Sequence, residues 1–250
     1  MTWASRRQTI ILGVLAIIAI AILVPLLKPV VAPPATCFDN KKNQGELGVD
    51  CGLPCQKVCP FEADKVAVLW VRSFEVAPGV YSAVAYLSNP NAYFEAKNVP
   101  YTMKVYDNQN ILLAEHSGKI NIPAKSTLPV FVGGINVGKL KVQQASFELK
   151  GELDWQRTDK GTPKINVSSP IVTTEGTPKV TVTIKNNTDG LLKNMRVVAI
   201  VFDGEGNAIA ASNTVIDKLA KNESTDVSFT WLLPFSSSVS RVEVYPDTTN

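Results

Sequence analysis

The 250-residue chain has a single histidine, three methionines and no cysteine beyond position 59. His116 stands in Ala114-Glu115-His116-Ser117, near an expected strand end, and no nucleophile or acid can be assigned to it, so the usual acid–base and triad chemistries lack their parts. No P-loop, dinucleotide-binding glycine fingerprint or Gly-x-Ser-x-Gly elbow occurs. These absences lead to the expectation that the chain is not an enzyme. A one-signed charge field is missing too: 25 Lys and Arg stand against 22 Asp and Glu, and the basic residues are scattered, which removes the electrostatic footprint of nucleic-acid binding. Zinc is disfavoured because the cysteines form no paired Cys-x2-Cys.

What is present begins with an uncharged run of 19 residues, Thr9 to Leu27. At about 1.5 Å per helical residue such a run crosses the roughly 30 Å hydrocarbon layer. Arg6 and Arg7 precede it and Lys28 follows; this bias places the N-terminus in the cytoplasm and the bulk of the chain outside. The competing reading is a cleaved signal peptide. It fits less well, because Ala32 is followed by Pro33 and Thr36 is a poor neighbour for a lipoprotein cysteine. Pro25 falls in the last turn, where a helix tolerates it.

A stem from Lys28 to Ala35, rich in proline, follows as a semi-rigid spacer. Then come all four cysteines, Cys37, Cys51, Cys55 and Cys59. In an exported chain an even, clustered set reads as two disulfides, whose pairing the spacing leaves open.

From Val66 onward no helical period is sustained. Short alternating or continuous apolar runs, broken by Gly, Pro, Asn and Asp, predict an all-β fold. The halves also resemble each other: Lys97-Asn98-Val99 and Val105-Tyr106-Asp107 recur as Lys193-Asn194-Met195 and Val201-Phe202-Asp203, at a constant offset of 96. Ala124-Lys125 matches Ala220-Lys221 at that offset, and Leu87-Ser88-Asn89 matches Ile184-Lys185-Asn186 with a one-residue shift. A module of this size with six or seven strands suits tandem immunoglobulin-like β-sandwich domains. The expected organisation is residues 1–8 as cytoplasmic N-terminus, 9–27 as transmembrane helix, 28–60 as stem and cysteine-rich segment, 61–155 as the first sandwich and 156–250 as the second.

The second half, from Lys185-Asn186-Asn187-Thr188-Asp189-Gly190 through Val201-Phe202-Asp203 to Val227-Ser228-Phe229-Thr230-Trp231, resembles the FxLYD-type immunoglobulin-like modules of prokaryotic envelope proteins. The likeness covers residues 163–246 and, more weakly, 65–150. It departs where Val201-Phe202-Asp203 stands for Leu-Tyr-Asp. The segment Cys37 to Cys59 resembles an exported-protein motif that opens Cys-x-Asp-Gly, continues Asn-Gln-Gly-Glu and ends Val-Asp-Cys-Gly-Gly-Pro-Cys. Asn40 and Leu53 replace its glycines. Asn40 can take a left-handed turn; Leu53 cannot do so cheaply.

Within that segment Asp39, Asn43, Glu46 and Asp50 are candidate calcium ligands, since a hard cation takes six to eight oxygens. The competing reading is a set of turn residues in a knot too small for an apolar core, and the spacing matches no EF-hand. Glu152 and Asp154 read as linker. Trp70, Trp155 and Trp231 read as core, with stacking on sugar as the alternative. Asn166, Asn186 and Asn222 satisfy the N-glycosylation pattern, which matters only in a glycosylating host. The expected function is adhesion, scaffolding or assembly of a cell-envelope complex with other envelope proteins, through exposed strand edges or through loop residues Asn89, Asn91, Asn186 and Asp189. The alternative is a polysaccharide-binding accessory module, recognisable by exposed Trp155, Trp231 or Tyr245 on a concave face.

Overall fold

The computed structural model describes residues 3–31, 36–159 and 164–247. The prolines Pro33 and Pro34 of the expected stem lie outside the described residues. The chain divides into two compact units, Met1–Gln56 and Lys57–Asn250.

In the first unit, helix α1 runs from Trp3 to Val31. Its stretch Ser5–Val24 is long and apolar enough to cross a membrane, and none of that stretch is buried by the rest of the protein. A membrane anchor and a signal sequence share this property. The cysteine-rich segment is a knot of tight turns, with left-handed backbone at Asn40, Gln44, Gly45, Asp50 and Gly52. Cys37 and Cys55 are joined, and Cys51 and Cys59 are disulfide-bonded as well, leaving no free thiol.

The second unit is built of strands. A 3-10 turn, Pro60–Glu62, leads into β1 (Ala67–Ala77), β2 (Val80–Asn89), β3 (Phe94–Tyr106), β4 (Leu112–Ile122), β5 (Ser126–Asn136), β6 (Gln144–Leu149) and β7 (Trp155–Arg157). After residues 160–163 come β8 (Ile165–Val167), β9 (Ile171–Thr173), β10 (Lys179–Asn186), β11 (Leu192–Phe202), β12 (Ala208–Leu219), β13 (Ser224–Thr230) and β14 (Arg241–Pro246). They form four antiparallel sheets: β1-β2-β5, β4-β3-β6 with β7 also on β3, β13-β10-β8 with β9 also on β10, and β12-β11-β14.

The sheets pair face to face as two sandwiches. Tyr81, Ala83, Ala85 and Leu87 from β2 meet Tyr101, Met103 and Val105 from β3 in the first core. Val180, Val182 and Ile184 from β10 meet Met195, Val197, Ala199 and Val201 from β11 in the second, sealed by Phe229 and Trp231. These sets occur at every second residue, so the remaining faces of β2 and β11 point away from their own cores. Those faces meet: Val84 packs with Val198, Ile200, Phe202, Ala208 and Ala211, with Trp70, Phe74, Tyr86, Phe131 and Tyr245 around them. Burial on both faces explains the continuous apolar run Val197-Val198-Ala199-Ile200-Val201-Phe202, where a strand with one wet face would alternate.

Strand β7 straddles the expected boundary at residues 155 and 156. It pairs with β3 through Phe94↔Arg157, Glu95↔Gln156 and Ala96↔Trp155, so the first sandwich extends past Arg157. Trp155 anchors a small cluster with Val58, Ala96, Val99 and Ile122. Glu62 from the 3-10 turn forms an ion pair with Arg157.

Candidate functional site

The cysteine knot turns its carboxylates inward. Asp50 accepts from the backbone N–H groups of Asp39 at 3.1 Å and Asn40 at 2.9 Å. Asp39 accepts from Asn43 Nδ2 at 2.8 Å and from the N–H of Lys41 at 3.0 Å; the Asn43 amide is the main reason its carboxyl sits below the usual range. Glu46 is 4 % exposed and receives the N–H groups of Asn43 and Asp50, each at 3.3 Å. Its Oε1 also lies 3.0 Å from Sγ of Cys55, a sulfur that carries no proton because it is in a disulfide, so this is a close contact and not a hydrogen bond. The four candidate calcium ligands therefore lie close together: the carboxylates of Asp39 and Asp50 and Oε2 of Glu46 accept from N–H donors, whereas Oε1 of Glu46 and the buried Oδ1 of Asn43 have no donor among the described residues. A calcium cage needs those oxygens turned onto a common centre. At the two departures from the family motif, Asn40 adopts φ 56°, while the left-handed turn beside Leu53 is carried by Gly52 at φ 79°. A Cβ on Gly52 would stand 2.6 Å from Cβ of Leu47.

The asparagines expected to bind partners from surface loops are mostly internal, and that expectation is corrected for three of the four. Asn89 is 2 % exposed; its Nδ2 donates to the carbonyls of Phe94 at 2.9 Å and Pro123 at 2.7 Å. Its Oδ1 accepts from the N–H and Nδ2 of Asn91, itself buried, whose amide ties back to the backbone of Asp64. Asn186, fully buried, does the same in the second sandwich: Nδ2 donates to Gly190 and Leu219, and Oδ1 accepts from the N–H and hydroxyl of Thr188. A buried amide with all its valences used fixes a corner and has nothing left for a ligand. Asp189 alone is exposed, paired with Lys221 at 2.8 Å.

The aromatic residues that would make a sugar platform are also committed. Trp155 is 6 % and Trp231 7 % exposed, and Nε1 of Trp231 donates to Ala211 O at 3.2 Å. Tyr245 points between the sandwiches, where it meets Tyr86 edge to face and hydrogen-bonds Glu243. Burial raises the pKa of both tyrosines, so they stay neutral donors there. Arg72 of β1 crosses the same interface to Asn207 Oδ1 at 2.9 Å and Ala208 O at 3.1 Å. His116 lies within β4, opposite Met103.

Two surface concavities remain. One lies between the sandwiches and is lined by Lys97, Lys119, Arg196, Tyr245 and Asp247 among others. The other, about 700 Å³, runs between β9 and the segment leading into β14, and is lined by Val172, Pro178, Phe235, Val239 and Val242 with the serines of residues 237–240. His116 lines neither of them. This second groove, flanked by two strand edges, was not foreseen. The signal available in the sequence was the break Ser168-Ser169-Pro170 within a run otherwise readable as one strand.

No family model matches the chain, and no curated protein matches it. Among solved structures it is similar to the transglutaminase of red sea bream, at 15% identity over 74% of this chain and 30% of that one, with a TM-score of 0.27. The exo-chitosanase of Amycolatopsis orientalis follows at 13% identity, covering 63% and 23%, TM-score 0.20. A β-glucuronidase from glycoside hydrolase family 2 is similar at 15% identity, covering 62% and 20%, TM-score 0.20. The chain spans less than a third of each of these proteins. Likeness at this level carries no argument about what it does.

Proposed function

We propose that the chain is a membrane-anchored, extracytoplasmic interaction protein whose tandem immunoglobulin-like sandwiches scaffold or assemble a cell-envelope complex. The observation that carries this reading is the 20-residue apolar stretch Ser5–Val24, which finds no cover within the fold and is followed by four cysteines that are all oxidised. An uncovered apolar helix of that length is stable in lipid and a liability in water. Full oxidation suits the outer side of a membrane. Arg6 and Arg7, in the first turns of the helix ahead of its uncharged run, favour an N-terminus on the inside. Partner binding through strand edges is supported by how the polar side chains are used: Asn89, Asn91 and Asn186 hold corners, and the tryptophans hold cores.

Protease treatment of intact cells or spheroplasts tests the topology. The expected outcome is a membrane-bound chain whose β-rich part is digested from outside, with the N-terminus protected. Release of the whole chain into the soluble extracellular fraction would instead mean that the helix is removed as a signal. Cross-linking in intact membranes tests the interaction, with recovery of a distinct envelope protein as the expected result.

A further inference from the structure

The second sandwich is open along one side. In the first, the 11-residue β1 lies against β6, so the two sheets meet along that flank. In the second, the corresponding stretch is broken into β8 and β9, three residues each, and among the described residues nothing pairs with the outer edge of β14. The N–H of Asp247 donates to Arg196 O at 2.7 Å, and antiparallel ladders alternate. The N–H and C=O groups of Val242 and Val244 therefore point away from β11, toward the free side. The groove between β9 and the segment leading into β14 reaches this edge at Arg241 and Val242. Its other bank, formed by Pro170, Val172 and Thr174, carries no charge. An unpaired strand edge is a ready template for another strand.

We propose that this edge pairs with β14 of a second copy of the chain, joining β12-β11-β14 of the two copies into one six-stranded antiparallel sheet. Charge chooses both occupant and register. Val242 and Val244 face the core, whereas Arg241 and Glu243 lie on the opposite face, 2.8 Å apart within one chain. Antiparallel pairing centred on Val242 sets Arg241 of each copy opposite Glu243 of the other, giving a ring of alternating charge. A shift that centres the pairing on Glu243 sets two carboxylates face to face, which is unfavourable. Pro246 has no N–H to donate and ends the ladder.

The test uses the full-length chain in detergent. Since every native cysteine is oxidised, single new thiols are readable. When Arg241→Cys and Glu243→Cys chains are mixed under mild oxidation, disulfide-linked mixed dimers should form about tenfold faster than dimers of either variant alone, because only the mixed pair is directly opposed. Val242→Pro, added to the Arg241→Cys chain, removes the free-edge donor, along with part of a half-buried core contact, and should abolish the mixed cross-link while the circular dichroism stays that of the folded chain. Should Glu243→Cys fail to fold, sedimentation of Arg241→Glu against the unaltered chain replaces it, with a dimer constant weakened at least about tenfold. A monomeric unaltered chain, equal cross-linking of all combinations, or a dimer indifferent to Val242→Pro overturns the proposal, as does occupation of the edge by a strand from a different protein. The inference does not rest on the anchor. A chain that is anchored yet monomeric would sink the dimer alone, and a dimeric chain released from the membrane would sink the anchor alone.

Discussion

The two sandwiches share their corners and differ at their rim. In each, an asparagine at the end of the second long strand, Asn89 or Asn186, ties the following loop to a distant carbonyl, that of Pro123 or Leu219. In each, an aspartate closes the turn after the third: Asp107 accepts from the N–H groups of Gln109 and Ile111, and Asp203 from those of Glu205 and Asn207. Left-handed residues recur at Asn98 and Asn194, 96 residues apart. What differs is the first strand, long and closing in one sandwich, broken and open in the other. The two sandwiches share the interactions that satisfy buried polar groups, which cannot be removed cheaply, and differ at the edge, where backbone groups can turn to water or to another chain.

The largest effect tests the corners. Asn186→Ala removes a fully buried amide that serves the carbonyls of Gly190 and Leu219 and the N–H of Thr188, of which the Leu219 bond is wholly buried. The expected cost is about 3 kcal/mol. Asn89→Ala should cost a similar amount, since it removes the side-chain partner of the Phe94 carbonyl and of the Asn91 N–H and leaves the Pro123 carbonyl to the Ser126 hydroxyl alone. Guanidinium unfolding followed by tryptophan fluorescence measures both. A cost under about 1 kcal/mol in one and not the other would break the equivalence of the two corners.

Next is the contact between the sandwiches. Ile200 is fully buried there, and Ile200→Ala should remove about 3 kcal/mol by lost burial and the cavity left behind. It should also split a single unfolding transition of the β-rich unit into two, because the shared cluster is what couples them. Two transitions in the unaltered chain would show the sandwiches to be independent and the interface weak.

Much of this was legible in the sequence. Strands β2 and β10 match the runs read from Val80 to Asn89 and Lys179 to Asn186; β10, with one core face and clear turn residues, carries the stronger period-two signal. The apolar helix, the all-β character and the oxidised cysteines followed from composition and spacing. Other features were hidden. Strand β7 is three residues long, too short to show any period, and Trp155 next to Glu152 and Asp154 looks like a linker. Equivalence in the repeat is also imperfect: the left-handed turn residue is Lys125 in one sandwich and Asn222 in the other, one place beyond the offset of 96. The asparagines looked like loop residues because type alone cannot tell a solvated turn amide from one buried under a carbonyl. Burial of β2 and β11 on both faces was written as continuous apolar runs, but only packing says what covers the second face.

The smallest effect separates the two aspartate turns. Asp203 has its carboxyl held below the ordinary value, first by the N–H of Asn207 and further by that of Glu205, with Arg72 of the other sandwich adding a favourable charge. Because the folded value lies below the unfolded one, this stabilisation is fully present above the unfolded value and is lost as pH falls through the depressed folded value. Stability measured from pH 5 downward should therefore decline, in part through Asp203, and Asp203→Asn should flatten that part of the slope while keeping an acceptor for the turn. Arg72→Ala should narrow the window by raising the folded value toward the unfolded one, although Arg72 belongs to the other sandwich. An unchanged slope in Arg72→Ala would mean that the second turn titrates on its own backbone alone, and that the contact between the sandwiches reaches the turn through shape and not through charge.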